Sequence, residues 1–250
     1  MIISLYKRRG AFFDMAATNP IIDKLFSAGA HFGYAPSRRH PSTAGYIFGV
    51  KGGVELFDLE QTASLLEAAK EFVKQLASER KTILFIGGKA EAREALKRAA
   101  ERLGQPYCAG RWIGGSLTNF SEIKKRLGRL EELSAMREKG ELAKFTKLER
   151  LLIDREITDL ENTFGGLRGM HKLPDAVFIA DPRKESIAAA EAAQLNIPVI
   201  SLMNSDCDRS AIAYPIPAND ASRETLSVVL DELAKTYAEN LAPVAPAAAA

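Results

Sequence analysis

TILFIGGKAEAREALKRAAERLGQPYCAG, residues 82–110, carries the clearest signal of the fold class. A short apolar run, TILFIG, leads into a segment with helical spacing of its apolar residues, and a second short run, PYCAG, follows. Short apolar runs that alternate with helices are typical of parallel β-α-β units. Because each run is almost continuously apolar, helices should cover both faces of the sheet. The stretch therefore predicts an α/β fold with a doubly wound parallel sheet.

The same alternation continues towards the C terminus. The later apolar runs are DAVFIA, PVISLM and YPIP, and the helical segments are ESIAAAEAAQLN and the residues from about Ala221 onwards. Upstream, Asn19 and Pro20 predict the start of a short helix that ends at Gly29. The glycine pair at 52–53 lies between two apolar runs and predicts a β-hairpin, which a longer helix follows.

Residues 118–168 interrupt the alternation between the second and third parallel strands and contain no strand-like run. Apolar residues repeat at spacings of three and four on both sides of a turn at Lys139-Gly140. They are Phe120, Ile123, Leu127 and Leu130 before the turn, and Ile153, Ile157, Leu160, Phe164 and Leu167 after it. The pattern predicts an antiparallel coiled-coil hairpin that projects from the body; two ordinary packed helices are the alternative.

These patterns divide the chain into four parts. Residues 1–18 are an N-terminal extension, 19–117 and 169–240 a discontinuous α/β domain, 118–168 the helical hairpin, and 241–250 a disordered Ala/Pro tail. Because the regular pattern begins only near residue 19, we expect translation to start at Met15, with Met1 as the alternative.

Composition excludes several classes of protein. With 250 residues, of which 46% are hydrophobic, the chain can bury a sizeable core, so global disorder is excluded. No apolar run reaches membrane-spanning length and no signal peptide is present, so we expect a cytoplasmic protein without a membrane partner. Cys108 and Cys207 are too few for a disulfide framework.

Charge is distributed unevenly along the chain. The formal net charge is only +2, but residues 1–180 contain 29 basic and 22 acidic residues, whereas the remainder contains 5 and 10. Positive charge concentrated at one end suits a protein that places one surface on phosphates. A solvated surface of mixed charge is the alternative.

The loops after the parallel strands, where doubly wound proteins bind ligands, lack an enzymatic signature. Gly87-Gly88-Lys89 is followed by Ala90 and does not match a phosphate loop, and no GxGxxG follows a strand. We therefore expect no enzymatic activity and no cofactor.

The three histidines are far apart and form no HxH or HExxH motif. His31, Asp206 and Asp208 are a possible ion-binding combination, with a hydrogen-bonded histidine and helix-capping carboxylates as the alternative. We expect no metal site. Cys207 lies beside two aspartates, which should raise the pKa of its thiol and make it a poor nucleophile.

Cationic residues occur instead on turns and exposed helix faces, where they are suited to bind phosphate. They are Arg38 and Arg39 in the irregular loop before the β-hairpin, Lys89 at a strand end, Arg111 after the second strand, and Lys124, Lys125 and Arg126 at the root of the insertion. Arginine offers a bidentate fork to phosphate oxygens. We predict that these residues and Asn119 bind RNA; for each one alone, a solvated charge is the alternative.

The GGS turn at 114–116 precedes a helix start at Thr118, and its backbone N–H groups predict an anion site. Trp112 next to Arg111 can stack on an unpaired base or be wedged between body and hairpin. We favour the wedge.

RWIGGSLTNF, residues 111–120, resembles the motif RW[LI]GG[TS]LTNF of the bacterial family of small-subunit ribosomal protein two. Other segments similar to that family occur in the same order over about residues 20–237. They are HFG, YIFG, FDLEQT, FIGGK, LPDAVFIADPRKE, NIPVISL and IPAND. So long an ordered series is specific for the family.

The resemblance implies a flavodoxin-like α/β domain with a protruding helical hairpin. It also implies attachment to small-subunit ribosomal RNA at the junction of head and body, and recruitment of the large messenger-binding protein of that subunit. The family usually has a histidine, a tryptophan and a lysine where this chain has Tyr34, Arg39 and Ser42, and a DTNCDP-like loop at 204–209. The charge of Arg39 offsets the missing lysine, so RNA contact by this loop is still expected.

The sequence thus predicts a structural constituent of the small ribosomal subunit that binds ribosomal RNA and neighbouring ribosomal proteins and supports translation. One alternative is a doubly wound enzyme that acts on a nucleotide or sugar phosphate. Against it, the sequence shows no catalytic nucleophile paired with a general base and no set of metal ligands. The other is a coiled-coil adaptor that binds protein only, against which the basic excess argues.

Overall fold

A computed structural model describes residues 19–242. The predicted N-terminal extension, the expected start at Met15 and all but the first two residues of the predicted tail lie outside the described residues. Within residues 19–242, no helix combines the length and apolar character needed to cross a membrane.

The N-terminal elements agree with the sequence pattern. They are helix α1 (Pro20–Ser27) and the antiparallel hairpin of β1 (Ile47–Lys51) and β2 (Val54–Phe57). The Asn19 side chain caps α1 by accepting a hydrogen bond from the Ile21 N–H at 3.2 Å. Gly29 ends the turn after α1 with a φ of 74°, a conformation that glycine adopts readily. The loop before the hairpin contains two short 3-10 helices, Pro36–Arg38 and Pro41–Tyr46.

Five parallel strands form the central sheet. They are β3 (Ile83–Ile86), β4 (Tyr107–Cys108), β5 (Ala176–Ala180), β6 (Val199–Met203) and β7 (Tyr214–Pro217). Their spatial order is β4-β3-β5-β6-β7, so the chain first moves outward and then crosses to the other side of β3. This is the order of flavodoxin-like sheets, and the predicted fold class is confirmed.

Helices cover both faces of this sheet. Besides α1, the α-helices of the described chain are α2 (Leu59–Ser78), α3 (Ala90–Leu103), α4 (Phe120–Glu138), α5 (Lys147–Phe164), α6 (Ser186–Gln194) and α7 (Arg223–Glu239). On one face, α1, α2, α3 and α7 enclose a core that includes Leu66, Phe85, Phe178 and Leu230. On the other face, α6 packs together with the root of the insertion.

The insertion between β4 and β5 consists of α4 and α5, joined by Gly140 (φ 71°) and a 3-10 helix, Glu141–Lys144. The outer parts of the two helices pack on each other through Leu130, Leu133 and Ile157.

The root of the insertion, where α4 begins and α5 ends, does not pack as the predicted coiled coil that projects from the body. Ile123, Leu127, Phe164 and Leu167 belong to the core on the second face of the sheet, together with residues of β3, β5 and β6. The physical reason is that α6 has only nine residues and leaves apolar sheet surface that the root must cover.

A close backbone approach fixes the end of α5 to the edge strand β4. A Cβ atom at Gly166 would overlap the carbonyl oxygen of Tyr107 and lie 2.8 Å from its ring. Only glycine fits at this position without moving the strand.

We predict that Gly166→Ala lowers the free energy of unfolding by about 1–3 kcal/mol because the added methyl group overpacks this contact. Urea denaturation measures the change. Gly169→Ala is the matched control, since a Cβ there meets nothing within 4 Å, and it should change stability by no more than about 0.5 kcal/mol. Equal stability of the two variants would contradict the close approach.

Candidate nucleic-acid interface

The turn that joins β4 to α4 is held by one carboxylate. Glu191, on α6, is only 7% exposed. Its Oε1 accepts hydrogen bonds from the Gly115 N–H at 2.7 Å and from the Trp112 indole N–H at 3.2 Å. Its Oε2 accepts from the N–H groups of Leu117 and Thr118 at 2.9 and 3.1 Å, and from the Thr118 hydroxyl at 3.2 Å. The predicted anion site therefore exists, but the protein fills it with its own carboxylate.

Burial by itself raises the pKa of Glu191. The hydrogen bonds from Leu117, Thr118, Gly115 and Trp112 more than reverse this effect, so the pKa lies below its ordinary value. Glu191 is therefore ionised at neutral pH, and its hydrogen bonds are charge-assisted. The expectation that these backbone donors are free to bind an external anion was wrong.

Trp112 is buried, with 6% of its surface exposed. It packs in the same core as Leu117 and Ile123, so the wedge interpretation is confirmed and the base-stacking alternative is wrong. Its neighbours Arg111 and Ile113 are both exposed. The turn thus buries one side chain and presents the two flanking ones to solvent.

A cleft of about 370 Å³ lies on one side of this turn, and we call it the arginine cleft. Its lining residues are Gly88, Arg93, Arg111, Trp112, Lys184, Glu185, Ser186 and Ile187. The side chains of Arg93 and Arg111 form no ion pair or hydrogen bond with any residue among 19–242. The Lys184 Nζ donates to the Gly88 carbonyl oxygen at 3.4 Å, and its backbone N–H donates to Asp181 at 3.2 Å.

Sequence reasoning missed Arg93 and Lys184. Arg93 lies within the charged helix α3, where nothing in the local pattern distinguishes it from its neighbours. Only the parallel sheet, which brings the carboxyl ends of β3, β4 and β5 together, places both residues beside Arg111.

A second groove, of about 520 Å³, lies on the other side of the turn, and we call it the root groove. Its lining residues are Ile113, Gly114, Gly115, Asn119, Glu122, Ile123, Arg126, Asp159, Leu160, Thr163 and Phe164. Lys124 and Arg126 are exposed, and their side chains have no partner in the described part of the chain. Lys125 instead pairs with Glu122 at 2.6 Å.

Lys89 has a different environment from these cations. Its side chain is only 16% exposed, and its Nζ lies 2.8 Å from Asp181 and 2.7 Å from Asp220. Burial by itself lowers the pKa of Lys89, but the two carboxylates more than reverse this and raise it well above its ordinary value. Asn204 donates to the other oxygen of Asp220 at 2.8 Å. The positive charge of Lys89 is thus balanced by the carboxylates of Asp181 and Asp220.

Arg38 and Arg39 are also paired within the protein. Arg38 donates at 3.2 Å to an oxygen of Asp206 that also accepts from Arg183, and lies 4.1 Å from the centroid of the Tyr34 ring. Arg39 donates at 3.1 Å to Glu55, whose side chain is fully buried. A phosphate would have to compete with these carboxylates for either arginine.

His31, Asp206 and Asp208 do not form an ion site. Within residues 19–242, no group of three or more His, Cys, Asp and Glu side chains is arranged to hold a metal ion. His31 stacks on Phe26 with ring centroids 4.6 Å apart, and burial lowers its pKa. Asp208 accepts hydrogen bonds from Ser210.

The Cys207 thiol is buried, and burial together with Asp181 and Asp206 raises its pKa. This confirms that Cys207 is a poor nucleophile.

Comparison with known proteins gives a consistent result. The family model described as ribosomal protein S2 matches residues 25–240. The chain belongs to the ribosomal protein S2 family. It is a ribosomal protein of the small subunit and not an enzyme.

Curated relatives in this family bear the name small ribosomal subunit protein uS2. The protein from Nocardia farcinica is 42% identical over 218 residues, which cover 87% of this chain and 76% of the relative. The protein from Rhodococcus opacus is 41% identical with the same coverage, and that from Mycobacteroides abscessus is 40% identical over 87% of this chain and 79% of its own length.

We predict that Glu191→Gln lowers the free energy of unfolding by about 1–3 kcal/mol, because an amide NH₂ would face donors that now meet an oxygen. Urea denaturation at neutral pH measures this. Glu131→Gln, at an exposed position on α4, is the control and should be nearly neutral. A neutral effect of Glu191→Gln would show that the turn does not depend on this carboxylate.

The low pKa of Glu191 also predicts a pH dependence. The ordinary value is 4.5, so the stabilisation by the ionised group is complete above that pH and is lost as pH falls through the lower folded value. The stability advantage of wild type over Glu191→Gln should therefore persist at about pH 7 and shrink below about pH 4.5. An advantage that stays constant to about pH 2 would refute this assignment.

Proposed function

We propose that this ribosomal protein binds small-subunit ribosomal RNA with the surface formed by the arginine cleft, the exposed turn and the root groove. Bound there, it supports translation in the cytoplasm by holding neighbouring ribosomal proteins, including the large messenger-binding one. The observation that carries the proposal is a division among the cations of this surface. Some are paired with carboxylates, whereas others have no partner among residues 19–242.

The unpaired side chains are Arg93, Arg111, Lys124 and Arg126. An unpaired cation on the surface gains most from a phosphate, because it displaces only water and releases counterions from the RNA. Arg39, Lys89 and Lys125 already have carboxylate partners, and Arg38 shares Asp206 with Arg183. Of these, Arg38, Arg39 and Lys125 are proposed as weaker contacts, and Lys89 acts mainly by positioning the strand ends.

The filled ligand position of the sheet supports RNA binding over the enzyme alternative. In doubly wound proteins a phosphate binds at the loop after the first parallel strand. Here Glu185, which is buried, accepts a hydrogen bond from the Gly88 N–H at 3.0 Å. Beside it, Lys89 bridges Asp181 and Asp220. Carboxylates therefore occupy the position that a substrate phosphate would take.

Exposed apolar side chains near the N-terminal hairpin support the protein-binding part of the proposal. Phe32 is 44% exposed and Val50 is 56% exposed. Phe32 bridges to β2, the strand that pairs with the strand of Val50. Exposed apolar surface rimmed by polar residues is typical of contacts between proteins.

Salt dependence of binding tests the RNA contact. The native protein is added to small subunits stripped of it, and sedimentation measures binding over a range of salt concentrations. We predict that Arg111→Ala, Lys124→Ala and Arg126→Ala each flatten the dependence of log affinity on log salt by about one unit. Lys235→Ala, on the outer surface of α7 and paired with Glu239 at 3.8 Å, is the control and should leave the slope unchanged.

Arg111→Lys separates charge from geometry, because lysine keeps the charge but loses the bidentate fork. We predict weaker binding with an unchanged salt slope. Unchanged slopes for all three alanine variants, with normal melting temperatures, would overturn the proposed RNA surface.

A further inference from the structure

The root groove has the volume of a small-ligand site, and its lining is partly apolar and partly polar. Its volume of about 520 Å³ falls within the range of about 300–1,000 Å³ that is usual for such sites. Its apolar lining includes Ile113 from the turn and Leu160 and Phe164 from α5. Glycines at 114 and 115 keep side chains out of the part next to the turn. The exposed Ile113 offers apolar surface against which a flat ring can lie, beside the polar side chains of the groove.

The polar side chains of this groove indicate which class of ligand it can bind. Asp159 is exposed, and its carboxylate has no hydrogen-bond or ion-pair partner within residues 19–242. Arg126 lines the same groove without pairing with it. Asn119 is at the N-cap position of α4, yet its side chain caps no backbone N–H there. Its Oδ1 accepts from the Ser121 hydroxyl at 3.3 Å, and its amide NH₂ has no partner among residues 19–242.

The remaining polar side chains of the groove are satisfied inside the protein. Glu122 pairs with Lys125 at 2.6 Å, and the Thr163 hydroxyl donates to the Asp159 backbone carbonyl at 2.8 Å. The groove therefore offers one free acceptor pair on Asp159, one free amide donor on Asn119 and one free cation on Arg126.

These groups are complementary to a nucleotide. A phosphate alone would be repelled by Asp159, and an apolar side chain would bury Asp159 and Arg126 without compensating either charge. A nucleotide has a negative phosphate for Arg126 and, on its base, donors for Asp159. Unpaired bases of RNA are commonly bound in this way, through their exposed edge and their flat face.

We propose that the root groove binds one unpaired guanine of RNA. Guanine is the RNA base with two adjacent donors, N1–H and the N2 amine, on its pairing edge, so it can donate both to the carboxylate of Asp159. The Asn119 amide donates to the guanine O6, and Arg126 binds the phosphate. The inference rests on the proposed RNA binding and names the nucleotide that this part of the surface recognises.

Chemical footprinting with kethoxal tests the inference, because this reagent modifies N1 and N2 of unpaired guanines. Stripped small subunits are saturated with the full-length protein and probed. Asp159→Asn keeps one acceptor but loses the second, and Asp154→Asn is the matched control. Asp154 lies on the same helix, is exposed, and its carboxylate also lacks a partner in the described chain.

We expect wild type and Asp154→Asn to protect one guanine that becomes reactive with Asp159→Asn. Affinity of Asp159→Asn should fall on the order of tenfold, as for loss of a bidentate base contact. Its salt slope should not change, because no phosphate contact is removed. This separates the base contact from Arg126→Ala, which should flatten the slope.

If no guanine differs between wild type and Asp159→Asn, or if Asp154→Asn exposes the same guanine, the guanine site is wrong. Salt-dependent binding in that experiment would leave the proposed RNA surface standing. Weaker binding of Asp159→Asn without any kethoxal difference would point to a protein in the groove and also overturn the inference. No binding to stripped subunits at all would overturn both proposals.

Discussion

The carboxylate of Glu191 organises the part of the molecule that faces outward. It comes from the short helix α6 and accepts five hydrogen bonds from the turn before α4, three of them from backbone N–H groups. An ionised group buried at this depth is stable only when such donors replace its lost hydration. The arrangement thus holds the start of α4, the position of Trp112 and the outward direction of Arg111 and Ile113.

Internal carboxylates play the same part elsewhere along the carboxyl edge of the sheet. Glu185 occupies the Gly88 N–H, and Lys89 bridges Asp181 and Asp220. Doubly wound folds commonly bind phosphates at this edge. Here the hydrogen-bond donors at the edge are bound by carboxylates of the protein itself. Cations without such a partner among residues 19–242 lie on the rim, at Arg93 and Arg111, and on α4, at Lys124 and Arg126. The proposed RNA surface therefore lies at the rim of the sheet and along the insertion, whereas the donors at the edge itself are occupied by carboxylates of the protein.

Much of the fold could be predicted because it depends on local patterns. The apolar runs of β3, β5 and β6 and the helical spacing of α2 to α5 each involve residues a few positions apart, and the structure contains all of these elements. The hairpin seam was predictable only in part. Leu130, Ile157, Ile123 and Phe164 all have the same heptad-like spacing. Leu130 and Ile157 pack in one cluster between the two helices, whereas Ile123 and Phe164 pack on the sheet. Spacing identifies an apolar face but not what the face packs against.

Local sequence pattern was sufficient for the α/β class, the place of the insertion, the family and the cationic residues that we propose for RNA contact. Which charged side chains lack a partner among residues 19–242 depends on the folded arrangement of distant segments. Lys89 is neutralised by Asp220, 131 positions away, and the GGS turn is filled by Glu191, 76 positions from Gly115. Arg93 and Arg111, by contrast, are left without partners in the described chain. The reason is that local pattern is set by neighbours three or four residues apart, whereas ion pairs between distant segments exist only after the sheet has brought its strand ends together.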